Sequence, residues 1–91
     1  MPGVSHKVHR RGTQCLRLVE YRLEMTPHWC AKGHVGMILE GRIEIEFDAG
    51  TWVFEAVDGV DIPAGDEHRH RTRSLTDVVR AIFVEESASW S

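Results

Sequence analysis

Apolar and polar positions alternate along most of this chain. Val19, Tyr21, Leu23 and Met25 take turns with Glu20, Arg22 and Glu24 until Thr26-Pro27 stops the run. Ile43, Ile45 and Phe47 then oppose Arg42, Glu44 and Glu46, and Trp52, Phe54 and Ala56 share one face of the next segment. A period of two sends successive side chains to opposite faces of an extended chain, so each run predicts a strand with one buried face. Gly41, Gly50 and Gly59 recur nine residues apart, accompanied by Asp48-Ala-Gly50, Asp58-Gly59 and Pro63-Ala-Gly65-Asp66. Such punctuation predicts turns between short antiparallel strands. After Arg73 two patterns compete. Leu75, Val78, Val79, Ile82 and Phe83 fall at helical spacing behind a Ser74 cap, whereas the β-branched Val78, Val79, Ile82 and Val84 favour a strand. In a chain otherwise built of strands, strand is the reading taken, and the fold class is all-β.

Composition narrows this picture. With 91 residues, 42% hydrophobic and 27% charged, and a net charge of -3, the chain makes one small domain. A domain of this size hides only about 60 to 65% of the surface that its unfolded form exposes, so a metal or a second subunit would support its thin core. No apolar run approaches the roughly 18 residues of a membrane span, and residues 5–12 are basic and polar, unlike a secretory leader. A cytoplasmic protein is expected. Cys15 and Cys30 are too few for a disulfide framework, although one bridge between them stays open. Residues 87–91, Ser-Ala-Ser-Trp-Ser, look like the start of an affinity tag and are set aside.

Candidate chemistry gathers in His28-Trp-Cys30-Ala-Lys-Gly-His34 and in His68-Arg-His70. Residues two apart share a face of an extended chain, so His28 with Cys30, and His68 with His70, can each grip one ion. His34 opens the next apolar strand and can return to the same centre after the Gly33 turn. Imidazole and thiolate suit zinc, iron, nickel and copper, and do not suit calcium or magnesium. Taken singly, each of these side chains reads as a surface histidine or a small core cysteine. Their clustering beside turns favours a metal site.

The run 27–41, followed by Gly59-Val-Asp-Ile-Pro63-Ala-Gly65-Asp-Glu-His68, resembles the two motifs of the cupin superfamily. The resemblance implies a small double-stranded β-helix, a jelly-roll-like barrel over residues 19–86, preceded by an N-terminal segment and edge strand over residues 1–18. The family's first motif offers His, His, Glu and Gly; this chain resembles it with His28, Cys30, His34 and Gly41 at those places, and His68 answers the histidine of the second motif. The implied ligands are His28, Cys30, His34 and His68, holding one transition-metal ion per chain, Zn, Fe, Ni or Cu. One thiolate with three imidazoles carries the formal charge of one carboxylate with three imidazoles, so the substitutions keep the charge and soften the site.

Cupins span dioxygenases, isomerases and sensors, so the resemblance leaves two functions in view. One is a metal-dependent enzyme of dioxygenase or isomerase type acting on a small molecule, with His70 as further ligand, hydrogen-bond donor to the site or general base, and a mostly apolar pocket of Met25, Ile38, Trp52 and Phe54. The other is a non-catalytic sensor in which Cys and three His close the coordination sphere. No serine elbow, phosphate loop or dinucleotide fingerprint is present. The arginines at 69, 71 and 73 alternate with His68, His70 and Thr72 as a solvated strand face, and with a negative net charge no nucleic-acid partner is expected. Val35, Met37 and Leu39, opposite His34, Gly36 and Ile38, leave an apolar face that a homodimer would cover.

Overall fold

The computed structural model describes residues 2–86; the tail at 87–91 lies outside the described residues. Eight strands and one 3-10 turn follow in order: β1 (Val4–Arg11), β2 (Gln14–Arg22), β3 (His34–Glu40), β4 (Arg42–Phe47), β5 (Gly50–Glu55), β6 (Gly59–Ile62), the turn Asp66–His68, β7 (His70–Ser74) and β8 (Val78–Glu86). They form a five-stranded sheet, β1-β2-β8-β3-β6, and a three-stranded sheet, β5-β4-β7. All strand pairings are antiparallel.

The period of two in the sequence becomes the core. Val19, Ile38, Ile43, Ile45, Val60, Ile62, Val79, Ala81 and Phe83 are buried between the sheets, with Val4, Tyr21, Phe47 and Phe54 packed against them. Each fully buried Val, Ile or Phe stabilises the fold by roughly 1.5 to 3 kcal/mol. The ambiguous C-terminal segment is a strand: Val79, Ala81 and Phe83 face inward on β8, which lies between β2 and β3. A helix there would leave both neighbours with unpaired edges.

Two expectations are corrected in detail. The run expected over 19–25 begins earlier and ends sooner, because the chain turns after Arg22, with Met25 N–H donating to the Arg22 carbonyl at 3.1 Å. β2 thus crosses the boundary drawn at residue 19, and β1 pairs with it along its whole length. Trp52 and Phe54, placed in the pocket by the sequence, do not line it. They pair with Ile45 and Ile43 on β5, the edge of the smaller sheet, where little packs over Trp52; its indole meets Phe47 edge-on and remains half exposed.

Candidate metal centre

Between the sheets lies a cavity of about 780 Å³. Met25 and Ile38 line it as the sequence predicts, and Tyr21, Ile43, Ile45 and Phe83 complete much of its apolar wall. One part of the wall carries Cys30, His34 and His70; the Sγ and one ring nitrogen of each histidine lie within 4.8 Å of one another. Ligand atoms around a tetrahedral ion stand roughly 3.3 to 3.7 Å apart, given bonds of about 2.0 to 2.3 Å. Small side-chain rotations therefore suffice for these three donors to share one ion.

Three local structures set this group. Cys30 and His70 form an isolated antiparallel bridge: Cys30 N–H donates to the His70 carbonyl at 2.8 Å, and His70 N–H donates to the Cys30 carbonyl at 2.9 Å. His34 enters as the first residue of β3, opposite Ile62 of β6. Gly33 makes the tight approach possible, since a Cβ there would stand 2.9 Å from both the Ile62 carbonyl oxygen and the Ala64 nitrogen. The His34 and His70 rings meet edge to face with centroids 5.1 Å apart.

The chain presents His34 to the cavity in one orientation. Its Nδ1 lies 2.5 Å from Glu85 Oε2. A carboxylate offers only lone pairs, so Nδ1 carries the hydrogen and Nε2 is turned toward Cys30 and the cavity. Arg17 grips the same Glu85 oxygen at 3.1 Å. Burial pushes the Glu85 carboxyl up, but the bonds from His34 and Arg17 outweigh it and hold the group below the ordinary carboxylate value. Cys30 is lowered as well, first by its bond to His34 and against the penalty of burial. Burial draws His34 down, yet its bonds to Cys30 and Glu85 leave it raised. His70 is lowered by burial and by the charge of His34, and its Nδ1 makes a long contact of 3.4 Å with the His68 carbonyl. The shifts of Cys30 and His70 run toward the thiolate and the neutral imidazole, the forms in which these side chains bind metals, and Glu85 fixes the orientation of the His34 ring.

The structure assembles two of the four ligands drawn from the sequence, Cys30 and His34. His28 is exposed on the cavity wall, outside the group of donors that can reach one ion. His68 is turned away: it closes the 3-10 turn, does not line the cavity, and has its Nε2 3.8 Å from Glu67. The rule that residues two apart share a face holds only for extended chain, and the chain becomes extended again only at His70. His70 accordingly stands where the motif assigns His68. Glu85, Arg17 and Tyr21 escaped the sequence reading. The available signal was phase, since Cys15, Arg17, Val19 and Tyr21 alternate inward on β2, and Glu85 continues Val79, Ala81 and Phe83 on β8. Both cysteines are free, Cys15 being buried on β2.

This two-sheet sandwich, with donors for a metal at one part of its interior, is the cupin fold. It superposes on a cupin-2 domain protein from Shewanella frigidimarina with a TM-score of 0.72 at 21% identity, covering 90% of this chain and 79% of that one. KdgF from a Halomonas species gives 0.77 at 18% identity over 96% and 81%. A sugar phosphate isomerase of the cupin superfamily from Silicibacter pomeroyi gives 0.75 at 20% identity over 94% and 60%. At such identities the likeness is one of fold. No protein-family model and no curated protein matches the sequence. Among the described residues no helix is long and apolar enough to cross a membrane.

Proposed function

We propose that the protein binds one transition-metal ion per chain, Zn, Fe, Ni or Cu, through Cys30, His34 and His70, and uses it on a small molecule held in the cavity. The observation that carries this reading is the convergence of three soft or borderline donors on the wall of a cavity large enough for a substrate. Three protein ligands leave a coordination position open, which is the arrangement of a catalytic site, and the metal would there polarise a carbonyl or activate a bound water or oxygen. Cys30 brings the negative charge, His70 a neutral imidazole, and Glu85 with Arg17 keeps Nε2 of His34 aimed into the cavity. Enzymes of isomerase or dioxygenase type fit this description. We place the protein in the cytoplasm, where both thiols stay reduced, and as a homodimer.

A second reading has one observation in its favour. His28 lines the same cavity, and a swing of its loop would add a fourth ligand and close the sphere, as a sensor or structural site requires.

Metal content and affinity after reconstitution with zinc or cobalt test the proposal. Cys30→Ser, His34→Ala and His70→Ala should each lower affinity at least about tenfold, Glu85→Gln about 10- to 100-fold through loss of ring orientation, and His68→Ala less than about threefold. Retention of full affinity by His70→Ala would overturn the ligand set. In the cobalt form, a His28→Ala variant with an unchanged spectrum supports the open site, whereas a changed coordination number supports the closed one.

A further inference from the structure

The cavity wall has a sign. None of its twenty lining residues is Asp or Glu, while Arg17, Lys32 and four histidines, His6, His28, His34 and His70, are among them. The chain as a whole runs the other way, with 14 acidic against 11 basic residues among 91, so twenty positions taken at random would hold about three acids. Burial alone would deplete both signs. Here only the acids are missing.

Arg17 spends its charge on Glu85. Lys32 does not have such a partner: among the described residues no ion pair includes it, and the charge it acts on is that of Cys30. Lys32 itself lines the cavity, two residues from Cys30 and two from His34. Its loop is firmly held. Cys30 is bridged to His70, Ala31 accepts the Gly65 N–H at 3.0 Å, and Gly33 is pressed against the Ile62–Pro63–Ala64 backbone. Lys32 therefore sits on fixed backbone between two of the proposed metal ligands, in a half-buried setting where an unmatched cation calls for an anion. Much of the rest of the wall, including Met25, Ile38, Ile43, Ile45 and Phe83, is apolar.

We propose that the ligand of this cavity is a small organic monocarboxylate with an apolar body, its carboxylate held by Lys32 beside Cys30, His34 and His70 and its carbon skeleton lying on the apolar wall. This names the substrate class of the site proposed above, and rests on that reading only in taking the cavity as the place where the ligand binds.

The test uses benzoate, benzamide and benzamidine, which share one ring and differ in charge, with ligand-observed NMR on the zinc-loaded and metal-free full chain. In the zinc-loaded protein benzoate should bind about tenfold more tightly than benzamide, and benzamidine should bind least. Lys32→Met should weaken benzoate about five- to tenfold and leave benzamide unchanged, and Lys32→Glu should reverse the order of benzoate and benzamidine. Unchanged benzamide binding shows that the cavity has survived each substitution. Equal affinity for benzoate and benzamide, benzoate binding unaffected by Lys32→Met, or no benzoate binding up to about 10 mM would each overturn the proposal. Metal content measured on the same samples separates the two readings. A protein that takes up no zinc on reconstitution yet keeps the Lys32-dependent preference rejects the metal site and supports the anion site; a fully loaded protein without that preference does the reverse.

Discussion

Glu85 and Tyr21 show how a single inward residue acquires a role from its neighbours. Glu85 would be a costly buried charge alone; with Arg17 and His34 on one oxygen it becomes the group that sets a histidine's orientation. Tyr21, the only tyrosine, lines the same cavity, and burial pushes its phenol from 10.0 up to about 12. The unfolded chain gives up this proton near pH 10, and the folded chain keeps it for about two pH units more. The stability associated with the neutral phenol is therefore complete below pH 10 and declines as pH rises toward 12. Spectrophotometric titration of the metal-free protein should show a single phenol with a midpoint near 12, and Tyr21→Phe should remove this part of the alkaline loss of stability. A midpoint near 10 would mean that the cavity hydrates the ring.

At the scale of elements, β3 carries His34 into the site and depends on a close approach. It lies between β8 and β6, and a Cβ on Gly36 would stand 1.9 Å from the Ile82 carbonyl oxygen and 2.8 Å from the Phe83 ring. The clash with Ile82 is with backbone, so β3 would have to move away from β8. Phe83 lines the cavity and packs at 5.2 Å from the His34 ring, which carries the disturbance to the site. Gly36→Ala should cost about 3 kcal/mol in denaturant unfolding and weaken metal binding, whereas Gly59→Ala, whose Cβ would make only an ordinary contact, should stay within about 0.5 kcal/mol. Equal stability of the two variants would contradict this packing. The turn Asp66–His68 is the other decisive element, because its one helical turn removes His68 from the face that His70 occupies.

In the whole molecule, the five-stranded sheet has a core-facing side and an apolar exterior one. Across the five-stranded sheet, Leu16, Val84 and Val35 stand side by side in one row and Leu18, Ile82 and Met37 in the next, and Arg80 bonded to Glu20 and Glu40 closes one end. Five of these six apolar residues are exposed, as is Leu39 beyond them. A continuous apolar patch with a charged border suits a self-complementary contact with a second copy. Light scattering should give twice the chain mass at micromolar concentration, and Met37→Glu, which places a carboxylate in the second row, should give the monomer with unchanged circular dichroism. A monomeric parent protein would remove the dimer from the description.

Alternation by itself determined the strands at β2, β4 and β5 and the inward phase of Val19, Tyr21, Ile43 and Ile45, because a period of two is a local property of the backbone, and β-branched residues decided β8 as a strand. It also brought Cys30 and His34 into one candidate site, through their spacing around Gly33 and their resemblance to a known motif. The third donor was decided by tertiary structure. Whether His68 or His70 faces the interior depends on where a 3-10 turn ends and on the bridge from His70 to Cys30, forty residues away in sequence. The pocket followed the same rule: Trp52 and Phe54 have the right phase, but on the edge strand Trp52 stays half exposed and Phe54 packs against the core without lining the cavity, and phase cannot report either. The pairing of Glu85 with His34 and the acid-free wall around Lys32 arise from residues distant in the chain, and only folding brings them to one place.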